Sequence, residues 1–162
     1  MRDGAIGDFT VAENLVLVDF PTEPLSRRGL LQRQAIESRS ADLVDRYSVK
    51  TPTLDTPTRS LSGGNIQKVV IAREFSSGAD VFMVAQPTRG VDIGAAEYIH
   101  AQLLQQRADG KAILLISEDL DEVLQLSDRV LVLLDGKEMG TVDRAHATVQ
   151  EIGLMMMGSA RT

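Results

Sequence analysis

The sequence predicts an α/β fold, because strand-like apolar runs alternate with helical patterns from residue 81 onward. Strands are predicted over residues 81–84, 112–116 and 130–134, and helices lie between them over residues 93–107 and 120–126. The composition fits such a domain, since 43% of the 162 residues are hydrophobic, 25% are charged and only 4% are aromatic. A chain of this length should bury one principal core, and that core should be aliphatic.

The part of the chain before this alternating pattern is predicted to be helical. Thr10 and Glu13 have the spacing of a capping box, in which two side chains bond free backbone N–H groups, so a helix should follow over residues 11–18. Apolar residues recur at helical spacing among many charges over residues 27–47, which predicts one or two exposed helices. Pro52 and Pro57 predict a loop over residues 51–58, because proline lacks the N–H group that a helix needs.

The last third of the chain is predicted to add a hairpin and a helix. Asp135 and Gly136 form a strong turn signal, so residues 130–134 and 137–142 should pair as a hairpin. Thr148 and Glu151 repeat the capping-box spacing before a helix that runs through residues 155–157. We therefore expect a helical subdomain over residues 1–60, an α/β core with the hairpin over 61–145, and a C-terminal helix and tail over 146–162. Three or four strands are fewer than a doubly wound sheet usually contains, which indicates part of a larger domain.

Charge and composition exclude several classes of function. The formal net charge of -6 and the isoelectric point near 4.9 disfavour a general attraction to nucleic acid, which we do not expect as a partner. The chain has no cysteine, so disulfides and thiolate metal sites are excluded. The longest apolar runs are strand-length, and no secretion signal is evident, so a cytoplasmic location is expected.

The segment Leu-Ser-Gly-Gly-Asn-Ile-Gln-Lys at residues 61–68 predicts a helix that begins at a serine cap. The free N–H groups and the positive dipole end of such a helix attract anions. Ser62 adds a hydroxyl group, and Gly63 and Gly64 leave room for a phosphate group. The same short pattern also fits a capped helix after a glycine turn, without any ligand, and Ser-Gly-Gly alone favours that simpler interpretation.

A longer set of motifs resembles the ATP-binding domains of ABC transporters. Residues 61–69 resemble the signature motif in the form found in carbohydrate and nucleoside importers, and residues 81–92 (Val-Phe-Met-Val-Ala-Gln-Pro-Thr-Arg-Gly-Val-Asp) resemble the Walker B strand and D-loop. Residues 116–120 resemble the switch region, and residues 127–130 match the segment that leads into the last strands. Residues 9–15 resemble the stretch just after the Q-loop of the second ATP-binding half of such importers. The resemblance covers nearly the whole chain.

The resemblance implies a partial P-loop NTPase (RecA-like) ABC ATPase domain with an N-terminal helical subdomain and without the Walker A half. It implies that Ser62, Gly63 and Gly64 reach across a dimer interface to the γ-phosphate of ATP on the partner half. Asn65 and Gln67 are further candidate ATP-binding residues in the same motif. Asp92 is the candidate D-loop aspartate at that interface, and it also fits the N-cap of the next helix. The implied cofactors are ATP and Mg2+, held mainly by the partner half.

Three positions depart from the pattern of an active ATPase. Ala85 and Gln86 stand where the Walker B aspartate and the catalytic glutamate are expected, and neither supplies a carboxylate for magnesium's water or for the attacking water. Glu118 stands in place of the switch histidine. The chain also contains no Gly-x-x-x-x-Gly-Lys-Ser/Thr loop to cradle phosphates. We therefore expect that the isolated chain does not hydrolyse ATP, and that hydrolysis belongs to the full-length assembly.

The expected function is that of part of the ATP-binding subunit of an ABC importer for simple sugars or nucleosides. Its implied partners are the other ATP-binding half, transmembrane permease subunits and, indirectly, a periplasmic or lipid-anchored substrate-binding protein, with the chain at the inner face of the cell membrane. Two alternatives stay open. One is a non-transport ABC ATPase, which would usually carry a basic surface for nucleic acid. The other is a non-enzymatic interaction or regulatory module left from a truncated ABC gene.

Overall fold

The computed structural model describes residues 4–158 and divides the chain into two compact units. The first unit comprises residues 1–82 and 87–112, and the second comprises residues 83–86 and 113–162. In chain order the helices and strands are α1 (Val11–Val16), β1 (Ser26–Arg27), β2 (Leu30–Leu31), α2 (Arg33–Arg46), α3 (Gly63–Phe75), β3 (Val81–Ala85), α4 (Ile93–Ala108), β4 (Ala112–Ile116), α5 (Leu120–Leu126), β5 (Arg129–Leu134), β6 (Lys137–Asp143) and α6 (Val149–Met156), with 3-10 turns at Thr58–Ser60 and Arg144–His146.

Helix α1 begins where the capping box predicts. The Thr10 side chain accepts a bond from the Glu13 N–H, and the Glu13 carboxylate accepts a bond from the Thr10 N–H in return. Helix α1 ends at Val16, two residues before the predicted end at Val18. It packs against α2 and α3, and most of its side chains are buried, so it is the centre of the first unit.

Asn14 ties α1 to the surrounding loops through its fully buried side chain. Its Oδ1 accepts from the Ile6 N–H at 2.8 Å, and its Nδ2 donates to the Thr58 hydroxyl at 2.8 Å and to the Ile6 carbonyl at 2.9 Å. Thr58 is also buried and donates to the Phe9 carbonyl at 3.0 Å. These bonds compensate the cost of burying the amide, and they fix the chain on both sides of α1.

The predicted helical segment over residues 27–47 is only partly helical. Helix α2 runs over Arg33–Arg46, but the preceding residues form a short antiparallel hairpin in which Arg27 pairs with Leu30. The helical prediction was wrong for this stretch because Arg28 and Gly29 adopt positive φ angles of 53° and 78°, a turn geometry that ends any helix. The apolar pair Leu30 and Leu31 is mostly exposed on this hairpin. The loop predicted for residues 51–58 is confirmed up to the 3-10 turn at its end.

Strands β3 and β4 pair side by side, as the alternating pattern predicts. The Ala112 N–H donates to the Asp80 carbonyl at 2.9 Å, and the Gln86 N–H donates to the Ile116 carbonyl at 2.7 Å. From the first bond to the second, the residue on the β3 side changes from Asp80 to Gln86 and the residue on the β4 side from Ala112 to Ile116. Both residue numbers increase, so the two strands run parallel. At the start of β3, the Phe82 ring contacts Phe75 at the end of α3 with a centroid separation of 4.9 Å.

The second unit is built on the hairpin predicted at Asp135 and Gly136. Strands β5 and β6 pair antiparallel, and both turn residues have positive φ angles of 48° and 74°, the geometry that Asp-Gly turns favour. A bulge between Val132 and Leu133 shifts the register by one residue. Helix α6 packs on this hairpin, and the Thr148 side chain caps it by accepting from the Glu151 N–H at 3.1 Å. The buried residues of this core are Val130, Val132, Val142, Ile152 and Met155.

Candidate functional site

The N-terminus of α3 presents hydrogen-bond donors that no described residue accepts. Ile66 makes the first bond of the helix, from its N–H to the Ser62 carbonyl at 2.9 Å. The N–H groups of Gly63, Gly64 and Asn65 precede it and have no acceptor among residues 4–158. Such a row of N–H groups, together with the helix dipole, favours an anionic ligand.

Ser62 occupies the N-cap position, but its side chain does not cap the helix as the sequence suggested. Its backbone is extended, with φ -64° and ψ 154°, and its hydroxyl accepts no backbone N–H. The hydroxyl oxygen instead accepts a bond of 2.9 Å from the Asn65 side-chain amide. The Asn65 amide thus uses one lone pair of the Ser62 oxygen, and no backbone N–H of α3 bonds the other. The N–H groups of the first turn are therefore left for another acceptor.

The two glycines of the motif have different surroundings. A Cβ atom on Gly64 would lie 3.0 Å from the Ala95 Cβ and 3.7 Å from the Asp92 Oδ2, so this glycine allows the close approach of α3 and the first turn of α4. A Cβ atom on Gly63 would meet only the Gly90 carbonyl oxygen, at 3.7 Å, which is an ordinary contact. Packing therefore accounts for Gly64, whereas the exposed Gly63 is not required by packing.

Asp92 is the N-cap of α4, as its simpler interpretation predicts. Its Oδ1 accepts from the Ala95 N–H at 2.8 Å. The side chain stays exposed and also borders the α3 N-terminus through Gly64. The cap fixes the first turn of α4 beside the signature segment, and it leaves Oδ2 without a hydrogen bond to the described residues.

Bonds between side chains and backbone hold α3 against the segment that follows α2. The Lys50 N–H donates to the Asn65 Oδ1 at 2.8 Å, and the Lys68 ammonium donates to the Ser48 carbonyl at 3.1 Å. The same ammonium lies 4.3 Å from the centre of the Tyr98 ring, a cation–π contact. The Tyr98 hydroxyl donates to the Tyr47 carbonyl at 2.8 Å, which adds α4 to the network.

Burial, followed by the neighbouring Tyr47, raises the pKa of Tyr98 to about 12. Burial also raises the pKa of Tyr47. Both phenols therefore keep their protons over the physiological pH range, and the Tyr98 hydroxyl is available to donate to the Tyr47 carbonyl.

An open cleft of about 320 Å³ lies at the α3 N-terminus within the first unit. Among the predicted site residues, Ser62, Gly64, Asn65 and Asp92 line it, whereas Gly63 and Gln67 do not. The cleft is also lined by Lys50, Lys68, Gly94 and Ala95. Gln67 is half-buried and is the fifth residue of α3, just beyond its first turn.

Lys50 is a further residue of the site, and no sequence motif includes it. Its side chain is exposed, it lines the cleft, and none of the described residues pairs with its ammonium group. Lys50 precedes Leu61, the first residue of the motif, by 11 positions and adjoins a proline-containing loop, so no local pattern indicates its position. The bond between its backbone N–H and the Asn65 side chain, together with the bond from Lys68 to the neighbouring Ser48, brings it to the helix terminus. A positive charge beside unpaired N–H groups makes the cleft more favourable for a phosphate.

The second unit contains the three positions at which the sequence is predicted to depart from an active ATPase. Ala85 is the last residue of β3 and is exposed, and Gln86 follows it with a positive φ of 50°, which is uncommon for a residue other than glycine. Glu118 is exposed in the short connection between β4 and α5. A methyl group and an amide at the end of β3 do not form a magnesium site, because Mg2+ is bound through carboxylates. These residues therefore do not fit the metal that the fold family implies.

None of the helices within residues 4–158 is long and apolar enough to cross a membrane.

Comparison with known proteins identifies the chain's relatives. No protein-family model matches it. It is 45% identical over 157 residues to the nucleoside import ATP-binding protein NupA of Lactococcus lactis subsp. cremoris, and 41% identical over 160 residues to the guanosine import ATP-binding protein NupO of Bacillus subtilis. These matches cover 97% and 99% of the chain but only 31% of each relative, so the chain spans about a third of their length.

The fold agrees with this relationship. The structure superposes with a TM-score of 0.69 on a dimeric ATP-binding cassette in a post-hydrolysis state bound to ADP and Pi, at 23% sequence identity. The match covers 86% of this chain and 59% of that cassette. The predicted class, a partial ABC ATPase domain of mixed α/β structure, is therefore confirmed. By sequence over nearly its whole length and by fold, the chain belongs to the family of ABC-transporter ATP-binding proteins.

Proposed function

We propose that the chain supplies the signature motif to a composite ATP site whose phosphate-binding loop lies on the other ATP-binding half of an ABC importer. In this assignment the α3 N-terminus contacts the terminal phosphate of ATP through the N–H groups of Gly63, Gly64 and Asn65 and through the Ser62 hydroxyl. Asp92 lies at the same interface. Lys50, which the sequence analysis missed, adds a positive charge beside the phosphate.

The observation that carries this proposal is the set of donors at one helix terminus. Three N–H groups and one hydroxyl group at this terminus are without acceptors among the described residues. Ser62, Gly64 and Asn65, which carry three of these four donors, line a cleft that is also lined by the unpaired Lys50. A phosphate group has only acceptor atoms and carries negative charge, so it matches such a set in both hydrogen bonding and electrostatics. A cap that served only the helix would use the Ser62 hydroxyl to accept a backbone N–H.

Transport of nucleosides is the substrate class that we favour. The relatives NupA and NupO are named for nucleoside and guanosine import, and ribose and glucose import proteins match at lower identity. The partners would be the other ATP-binding half, permease subunits in the membrane and a substrate-binding protein outside it. The chain would then act at the cytoplasmic face of the membrane.

The site that would use the chain's own Walker B strand is proposed to be inactive. Ala85 and Gln86 cannot supply the carboxylates that orient magnesium's water and polarise the attacking water. Magnesium would therefore be held on the partner half, and turnover would occur only at the composite site that this chain's signature motif completes.

Replacement of Ser62 by arginine tests the proposal in the assembled ATP-binding protein. The bulky cation would fill the space before the α3 N-terminus, and we expect ATP turnover to fall at least about 10-fold, equivalent to the loss of one charge-assisted hydrogen bond. Ser77→Arg is the matched control, because Ser77 is an exposed serine beyond the other end of the same helix. Unchanged turnover in Ser62→Arg would contradict the proposal.

A second candidate function is a regulatory or interaction module without catalysis. The exposed apolar side chains of the second unit, such as Met83 and Leu133, favour binding to another polypeptide. Under this alternative, the Ser62→Arg variant would bind its partner normally and ATP turnover in the assembly would not depend on the motif.

A further inference from the structure

The Asn65 side chain bridges the backbone of Lys50, beside the cleft, and the hydroxyl group of Ser62. Its Oδ1 accepts from the Lys50 N–H at 2.8 Å, and its Nδ2 donates to the Ser62 Oγ at 2.9 Å. Both bonds use the side-chain amide, while the backbone N–H of Asn65 belongs to the unpaired first turn of α3. The amide therefore links the backbone after α2 to the first hydroxyl of the signature motif.

The orientation of the Asn65 amide follows from its partners. A backbone N–H can only donate, so the atom that faces Lys50 must be the oxygen of the Asn65 amide. The atom that faces Ser62 is then the nitrogen, which can only donate. The Ser62 oxygen must accept this bond, and its own proton has to point elsewhere.

The Ser62 proton has no acceptor among the described residues. Because Ser62 is exposed and borders the cleft, its hydroxyl is free to donate to a ligand there. The Ser62 O–H therefore joins the unpaired N–H groups of the first turn of α3 as a donor. A phosphoryl oxygen, which can only accept, is the complementary group.

We propose that Asn65 is a positioning residue that acts through Ser62: the Lys50 N–H orients the Asn65 amide, and the amide turns the Ser62 hydroxyl into a donor for the terminal phosphate of ATP. This inference rests on the proposed function. It differs from a direct contact between Asn65 and ATP, because the effect of Asn65 depends on the presence of the Ser62 hydroxyl.

Asn65→Asp is the informative replacement because it keeps the shape of the side chain and inverts its polarity. One carboxylate oxygen can still accept from the Lys50 N–H, but the other faces Ser62 as an acceptor. The Ser62 hydroxyl would then donate to that carboxylate and no longer to the phosphate. Asn65→Leu, of similar size, has neither donor nor acceptor and adds no charge, so it serves as a second variant if the first does not fold.

A double-mutant cycle with Ser62→Ala tests the dependence. The cycle is measured as kcat/KM for Mg-ATP in the assembled protein, that is, this chain together with the half that carries the phosphate-binding loop. We expect Ser62→Ala and Asn65→Asp each to lower kcat/KM about 10-fold, the size of one hydrogen bond to a charged group, and Asn65→Leu to lower it about 3-fold. In the Ser62→Ala background, each Asn65 variant should lower kcat/KM further by less than about 2-fold, apart from the repulsion that the aspartate charge adds.

The outcomes separate this inference from the function on which it rests. If Ser62→Ala lowers kcat/KM and the Asn65→Leu effect falls below about 2-fold in its background, the positioning role is supported. If Ser62→Ala lowers kcat/KM but the Asn65→Leu effect is undiminished in its background, the positioning role is overturned and the signature function stands. If Ser62→Ala leaves kcat/KM unchanged, both are overturned. Equal unfolding temperatures across the variants exclude a general loss of structure as the cause.

Discussion

At the scale of single residues, the two glycines of the motif make separable contributions. Gly64 lies where a Cβ atom would approach the Ala95 Cβ to 3.0 Å, whereas Gly63 has only an ordinary contact with the Gly90 carbonyl. The sequence alone treats both glycines as room for a ligand. Their difference depends on the position of α4, which no local pattern in the motif specifies.

Replacement of each glycine by alanine tests this difference. We expect Gly64→Ala to lower the free energy of unfolding by about 1 kcal/mol, because overpacking outweighs the better helix propensity of alanine. Gly63→Ala is the matched control one position earlier, and its gain in helix propensity of about 0.5 kcal/mol should leave stability equal or slightly higher. Urea unfolding of the three proteins measures both effects. Equal losses in the two variants would show that the contact with Ala95 is not the cause.

The predictions from sequence were accurate for individual residues where the chemistry is local. Thr10 and Asp92 cap their helices as their spacing predicts, because a cap involves a side chain and an N–H three residues away. Ser62 has the same spacing signal, but its hydroxyl accepts from the Asn65 amide, whose oxygen accepts from the Lys50 N–H. The bond from Lys50 is a tertiary contact, and the sequence around Ser62 contains no sign of it.

At the scale of helices and strands, the sequence predicts most elements after residue 60. Strand β4 and helix α5 have the predicted bounds, and the hairpin of β5 and β6 follows from Asp135 and Gly136. The exception is the stretch before α2, where Arg28 and Gly29 form a turn within an apparently helical pattern. A positive φ at arginine has no clear sequence signal, since arginine is a good helix former. The proposed boundaries near residues 60 and 145 stay predictions.

Tyr98 links α4 to Lys68 of α3 and to the Tyr47 carbonyl at the end of α2, and its titration predicts a pH dependence of stability. The pKa of Tyr98 is raised to about 12 in the folded chain, above the value of about 10 for an unfolded tyrosine. The folded state therefore binds this proton more tightly. Its contribution to stability is complete below about pH 10 and is lost as the pH rises towards 12.

This dependence can be measured directly. The chain contains no tryptophan and only the two tyrosines Tyr47 and Tyr98, so phenolate absorbance follows these two groups alone. We expect Tyr98→Phe to reduce the loss of stability between about pH 10 and pH 12 relative to the unmodified chain. An identical decline in the variant would show that Tyr98 is not a source of the dependence.

At the scale of the whole molecule, exposed apolar residues agree with the partial match to larger proteins. Alternate side chains on the strands of the second unit face solvent, including Met83, Leu114, Leu131 and Leu133. The chain spans 31% of the curated relatives and 59% of the solved cassette. We expect a further polypeptide, such as the additional length that the relatives have, to cover these side chains, because apolar strand faces are normally buried in α/β proteins.

Contacts of the whole molecule with a second polypeptide could not be predicted from this sequence alone. Too few predicted strands for a doubly wound sheet indicated a part of a larger domain, and the comparisons confirm that the relatives are longer. The proposed composite site would require a second polypeptide segment, and contacts with such a segment leave no pattern in one chain. Sequence therefore predicts the donors of the site but not the loop that would hold the nucleotide opposite them.

Calorimetric titration of Mg-ATP tests the central claim most directly, with the isolated chain compared with the same chain joined to an ATP-binding half that carries a phosphate-binding loop. We expect binding only in the joined form, because this chain offers donors for the terminal phosphate and no loop for the remaining phosphates. Tight binding by the isolated chain would contradict it, and a nucleotide site other than the α3 N-terminus would then have to exist.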